Sequence, residues 1–352
     1  MKFVDISSIE NIHIFGRQCI ETKPLSLMYN GSGFEVCTDS GELYMEINSS
    51  CDIFEPWIAF EINGALMGRM SLLPGDYKIC LFRNMEEGVP KTVRVYRELQ
   101  VMYEDEKCWI TVNGFWTSGR FLPVEKKQMQ LEFIGDSITS GEGTYGNVSD
   151  TDWLPMYMSF SKCYANLVSK SLNADYQVVS QGGYGVYCGW DNDVRHNLPI
   201  VYKDVLRKSD NDFSPDVIII NLGTNDESAF RQPAFINPDD GKIYKQRLNE
   251  QGDFEEEDIE KITKAVVDFM TYLREKNPKA HLLWVYGMLG KNLSKQLQSA
   301  VNCYKVKMRD ENVNFMILPD TKGDKFGAHM HPGPKAHEDV SKILIEYIKN
   351  RM

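Results

Sequence analysis

The hydrophobic rhythm of this chain changes near residue 122, and that change limits what it can fold into. From Ile12 to about Gly119, apolar residues come in short alternating runs broken by Gly, Asn, Asp and Pro. Gly33–Cys37, Glu42–Asn48, Trp57–Ile62, Asp76–Phe82, Thr92–Tyr96 and Trp109–Val112 are such runs. Period-two alternation with frequent turn signals predicts a β-sandwich, because each strand buries every second side chain. Asn63-Gly64 reads as a hairpin turn. No long helical pattern occurs in this region. The polar, Pro-bearing segment Phe121–Lys127 then marks a boundary, giving a β-sandwich domain over 1–122 and a second domain over 123–352.

In the second domain, strand patterns alternate with helical ones. Strands are predicted at Leu131–Gly135, Tyr176–Ser180, Asp216–Leu222, His281–Tyr286 and Val313–Leu318. Helices are predicted at Ser161–Ser171, Glu257–Lys276, Leu293–Arg309 and Pro334–Asn350. Val217-Ile-Ile-Ile-Asn-Leu222 is apolar almost throughout, as a strand covered on both faces must be. Such a series implies a parallel sheet with helices on both sides, an α/β domain. Glu227–Gly252 lacks periodicity and reads as a long loop near the functional edge of the sheet.

A formal net charge of -11 argues against nucleic acid and anionic membrane as partners. Eight cysteines occur, with no two closer than Cys37 and Cys51, so no CxxC zinc or redox pair exists and buried free thiols are expected. The first residues carry no charged start followed by an apolar core, which makes a cytoplasmic protein the expectation.

Ligand sites of open α/β sheets gather outside the carboxyl ends of the strands. Four stretches stand there. Leu131-Glu-Phe-Ile-Gly-Asp-Ser137 ends a strand on glycine and hands over a serine hydroxyl. Alone it would be an ordinary Gly-rich turn into a helix. Ser180-Gln-Gly-Gly-Tyr-Gly-Val186 lets backbone N–H groups approach a ligand closely. Its Gly183-Tyr-Gly185-Val-Tyr-Cys-Gly189 has one residue too many for a dinucleotide fingerprint. Leu222-Gly-Thr-Asn-Asp226 supplies Asn225, whose amide can face developing negative charge, although an Asn-Asp pair often only caps a helix. Ala328-His-Met-His-Pro-Gly333 offers a histidine that can take a hydroxyl proton near neutral pH. His329 and His331 could also be a metal pair, but no neighbouring carboxylate in the sequence completes a ligand set. His281 and His337 are expected to pack structurally.

Gly135-Asp-Ser-Ile, Gly182-Gly183, Gly223-Thr-Asn-Asp226 and His331-Pro332, in that order, resemble the four blocks of the SGNH (GDSL-type) hydrolases. The sandwich, with His13-Ile-Phe-Gly-Arg17 early in it, resembles the amino-terminal jelly roll of carbohydrate esterase family 2, whose members are acetyl esterases acting on acetylated hemicellulose or its oligosaccharides. The resemblance implies a Ser-His carbohydrate O-acetyl esterase acting on xylan- or mannan-derived oligosaccharides, with no cofactor. Ser137 would be the nucleophile and His331 the base, with an oxyanion hole of Ser137 and Gly183 N–H groups and Asn225. Asp136 and Trp190 are the candidate substrate contacts, Trp190 as a platform for a pyranose, with Trp153 and Tyr187 in nearby loops. One position departs from the family pattern. Many SGNH enzymes carry an Asp two or three residues before the histidine, where this chain has His329 and Ala328; the nearest upstream acid is Asp324. Some family 2 members are similar to Ser-His dyads in which a backbone carbonyl orients the imidazole. The alternatives are an SGNH thioesterase or lipase-type esterase, or an inactive carbohydrate-binding protein; the intact Ser137, Asn225 and His331 oppose the last.

Overall fold

A computed structural model describes residues 1–18, 25–208 and 213–352. The strands of the amino-terminal region are β1 (Lys2–Asp5), β2 (His13–Phe15), β3 (Leu25–Leu27), β4 (Gly33–Thr38), β5 (Leu43–Ser50), β6 (Trp57–Ile62), β7 (Ala65–Ser71), β8 (Gly75–Phe82), β9 (Lys91–Arg97), β10 (Trp109–Thr117) and β11 (Phe121–Leu122). They form two antiparallel sheets. One runs β1-β10-β5-β8 with β3 also on β10; the other runs β11-β4-β9-β6-β7 with β2 also on β4. In β5 burial alternates strictly: Leu43, Met45 and Ile47 are fully buried while Tyr44, Glu46 and Asn48 face outward. These side chains meet Phe34, Val36, Ile58, Val93 and Val95 of the second sheet in a shared core, so the region is a sandwich. Asn63 and Gly64 both take positive φ between β6 and β7, as a type I′ hairpin turn requires.

The second region holds β12 (Met129–Gly135), α1 (Ser137–Ser140), α2 (Tyr164–Ser171), β13 (Ala174–Ser180), α3 (Leu198–Lys208), β14 (Val217–Asn221), α4 (Thr224–Ala229), β15 (Phe235–Ile236), β16 (Ile243–Tyr244), α5 (Glu256–Lys276), β17 (His281–Tyr286), α6 (Ser294–Met308), β18 (Val313–Ile317) and α7 (Pro334–Arg351). The parallel sheet has the order β13-β12-β14-β17-β18. Alternate residues of one strand serve the two faces. Ile218 and Ile220 pack with α3, α5 and α6, while Val217 and Ile219 pack with α2 and α7. Phe15 and Tyr96 of the sandwich join this second core and Tyr29 joins the first, so the sandwich lies along the β13 edge of the sheet and reaches both faces. The expected loop at 227–252 is partly ordered, into the end of α4 and the β15–β16 hairpin.

His13-Ile-Phe-Gly-Arg17 joins the two regions. His13 Nε2 lies 2.7 Å from Asp175 Oδ1, Gly16 N–H donates to the Tyr176 carbonyl at 3.0 Å, and Arg17 pairs with Glu132 on β12. Of the cysteines, Cys19 lies outside the described residues; Cys37, Cys108, Cys163 and Cys188 are buried, but Cys80 and Cys303 are exposed, so the expectation of buried thiols holds only in part. His281 bonds Asn312 and Tyr347, and His337 stacks on Tyr164, both inside the fold. Among the described residues, no helix is long and apolar enough to cross a membrane.

Candidate active site

Strand register sets the site. Gly135 pairs with Ser180 on one side and Asn221 on the other, so β13, β12 and β14 end level and their following loops emerge together. In a sheet of this order, the space above the first and third strands is the topological switch point. After Gly135 the chain turns into α1, with Asp136 as its cap: the carboxylate accepts the Ile138 N–H at 3.0 Å. Ser137 is the first residue of that helix and is buried at the floor of the site.

The glycine block is shaped by its backbone. Gly183 has φ +80°, in the left-handed region, and the Trp190 indole lies where a side chain would grow, 3.2 Å from an added Cβ. The Gly182 N–H is committed to Gln100 Oε1 of the sandwich at 2.8 Å, and the same oxygen accepts Ser140 Oγ at 2.6 Å. Gln100 thus ties the turn that carries Ser137 to the glycine block. Asp226 ties the glycine loop to the third block: fully buried, it accepts N–H groups of Val186 and Tyr187 at 2.8 Å and of Cys188 at 3.3 Å. Beside it, the Asn225 amide donates to the Tyr184 carbonyl at 3.0 Å and lies 3.4 Å from Asp136 Oδ2.

The histidine arrives on a loop after β18. Gly143, with φ +69°, lets this loop sit directly on the stretch that follows Ser137; a Cβ there would stand 2.2 Å from the Ala328 carbonyl and 2.6 Å from His331 Cβ. His331 Nε2 comes to 2.9 Å from Ser137 Oγ, and His331 Nδ1 to 2.7 Å from the His329 carbonyl. A carbonyl only accepts, so the Nδ1 nitrogen carries the proton and a neutral ring presents a bare Nε2 to the serine hydroxyl. Asp324 has no part in this: its side chain is 75% exposed and pairs with Lys335.

Two placements differ from the sequence expectation. Asp136, expected at the substrate, is wholly buried, because its carboxylate caps the start of α1. Burial, aided by the nearby Glu142 and Asp226 charges, pushes its carboxyl up to about 7. His329 and His331 do have a carboxylate beside them. Glu142, buried and far away in sequence, places Oε1 2.7 Å from His329 Nδ1 and 3.5 Å from His331 Nε2. Burial opposes its charge, but His331, His329 and the Trp153 indole outweigh that and hold its carboxyl below the ordinary value. Trp153 is partly covered, edge-on to Phe54, whereas Trp190 stands 49% exposed over the glycine block. Gln100 gave no sequence signal, and Glu142 only a faint one, a charge enclosed by two glycines just after the Ser137 stretch.

Residues 131–344 match the model of the GDSL-like lipase/acylhydrolase family. The structure is similar to an acetyl xylan esterase, Est2A, from the rumen bacterium Butyrivibrio proteoclasticus, with 48% identity, TM-score 0.96, and coverage of 100% of this chain and 99% of that one. An acetylxylan esterase / glucomannan deacetylase of Cellvibrio japonicus is 25% identical over 97% of this chain and 91% of its own. The cellulase/esterase CelE of Acetivibrio thermocellus is 26% identical over 67% of this chain, and the match spans only 27% of that protein's length. The chain therefore belongs to the GDSL-like lipase/acylhydrolase family, as a serine carboxylic ester hydrolase with the two-domain fold of family 2 carbohydrate esterases.

Proposed function

We propose that this protein is a carbohydrate O-acetyl esterase that removes acetyl groups from xylan- or mannan-derived oligosaccharides through an acyl-enzyme. The observation that carries the reading is the Ser137 Oγ to His331 Nε2 approach of 2.9 Å, with His331 Nδ1 held on a carbonyl. The Est2A and Cellvibrio relatives, by their names, supply the acetyl and hemicellulose parts.

Ser137 Oγ gives its proton to His331 Nε2 and bonds to the acetyl carbonyl carbon. The carbonyl oxygen becomes an oxyanion, held by the N–H groups of Ser137 and Gly183 and by the Asn225 amide. With Gly182 engaged by Gln100, Gly183 is the donor of the pair, and the Tyr184 carbonyl holds the Asn225 side chain in place. As the C–O bond to the sugar breaks, the Nε2 proton passes to the sugar oxygen, leaving acetyl-Ser137. Water repeats the sequence and releases acetate. Trp190, exposed over the glycine block, is the platform for a pyranose ring.

The test is acetate release from acetylated xylan and mannan oligosaccharides, beside 4-nitrophenyl esters of increasing acyl length. Preference for acetyl on the sugars supports the reading; preference for long acyl chains would replace it with a lipase-type esterase.

A further inference from the structure

An imidazole oriented by a neutral carbonyl gains less on protonation than one facing a carboxylate. Yet a buried carboxylate stands beside this ring, on the side of the reacting nitrogen. Glu142 Oε1 is 3.5 Å from His331 Nε2, where the serine proton arrives. The same oxygen holds His329 Nδ1 at 2.7 Å. His329 in turn stacks on His331, with ring centroids 5.3 Å apart and planes within 5°, and lends it the carbonyl that accepts Nδ1–H. His329 and Met330 both have φ of 52°, an unfavourable conformation for two successive residues bearing side chains. Something must hold that turn, and the Glu142–His329 bond is placed to do so.

We infer that Glu142 is a positioning residue: it clamps the strained His329 turn, so that its carbonyl meets His331 Nδ1, and it supplies the negative charge that steadies the protonated His331 ring. This rests on the acyl-enzyme reading above. The task given to an upstream Asp in many relatives is here divided. A carbonyl sets the tautomer, and a carboxylate next to the nucleophile block supplies the charge. The other groups facing the pair leave that charge unchallenged. His337, on α7, is pushed down to about 3 by burial and stays neutral. Asp136 on the α1 side bears a carboxyl raised by burial, and Trp153 brings an uncharged indole. The 2.7 Å contact to His329 is a hydrogen-bond length, shorter than the roughly 3.3 Å between two ligands on a tetrahedral zinc ion.

The experiment is a pH profile of kcat/KM on 4-nitrophenyl acetate for the unmodified protein, Glu142→Gln and Ser137→Ala. Removing an anion close to the ring disfavours its protonated form, so in E142Q the acidic limb moves to lower pH by about one unit. The plateau falls by at least about tenfold, the equivalent of that one unit. A merely structural glutamate would lower the plateau or the melting temperature without moving the limb, and that outcome overturns the inference. Should E142Q fail to fold, NMR titration of the unmodified protein decides: the His329 ring titrates above the ordinary 6.5, because its hydrogen bond to Glu142 favours its charged form. A His329 midpoint at or below that value overturns the inference. Loss of activity to EDTA with recovery on adding Zn2+ would overturn it too, in favour of a metal held by Glu142, His329 and His331. If S137A is inactive while E142Q behaves as the unmodified protein, only this inference falls; if S137A is active, the acyl-enzyme reading falls with it.

Discussion

Ser137 and His331 meet at 2.9 Å, but the chain holds them in different ways. The serine side is built from regular structure: a strand buried on both faces, a glycine, and a capped helix start with ordinary dihedral angles. Asn225 and the glycine block share that construction, because their strands end level with β12. The histidine side stands on a loop with two consecutive left-handed residues, laid against Gly143 and bonded to Glu142. The sheet gives the serine its position for little local cost. The histidine is held by contacts that together must outweigh backbone strain of about 1–3 kcal/mol per residue.

The comparison can be broken most severely at the nucleophile. Ser137→Ala is expected to remove turnover on an acetyl ester by about 10⁴-fold or more, leaving only what binding and the oxyanion donors provide. Acetate release checks this, and substantial residual activity would move the nucleophile elsewhere. Asn225→Ala is expected to lower kcat by about 10²–10³-fold, the cost of one oxyanion donor, with KM little changed. An unchanged kcat would remove Asn225 from the site.

Gly143→Ala tests the seam between the two sides. A Cβ 2.2 Å from the Ala328 carbonyl, on a residue with positive φ, must push the histidine loop away. A loss of about 1–3 kcal/mol is expected, seen as a lower melting temperature together with lower kcat. A folded G143A variant of normal kcat would show the loop to be less dependent on this contact. The smallest effect is expected from Asp324→Asn, which alters an exposed ion pair with Lys335 and leaves kcat within about twofold. A drop of several orders of magnitude would restore a carboxylate triad.

The same contrast separates what could be read in the sequence from what could not. β14 and β17 were legible because a parallel strand covered on both faces is apolar almost throughout, and β12 because its apolar residues run up to a glycine. β7 escaped because it is an edge strand, largely exposed along Ala65–Ser71, and so carries little alternation. β1, β2 and β3 are only three or four residues long, too short for a pattern. α3 escaped because Pro199 resembles a break, although in a first turn proline costs no hydrogen bond. Ser137, Gly183, Asn225 and His331 were readable as blocks beside strand ends. Gln100 and Glu142 act through long-range contacts, spanning 82 positions to Gly182 and 187 to His329, and no local pattern encodes such meetings.

Arg17 reaches from the sandwich to Glu132 in the interior of β12, whose other oxygen is bonded by Tyr202 at 3.0 Å. Cutting the chain between its halves would take the Arg17 guanidinium away from that buried carboxylate, at a cost of about 3–5 kcal/mol, a large share of the 5–15 kcal/mol that holds a typical protein together. The hydrolase half is therefore no interchangeable cassette. Grafting it onto a different module would mean transplanting the first eighteen residues, and the segment around Gln100, along with it.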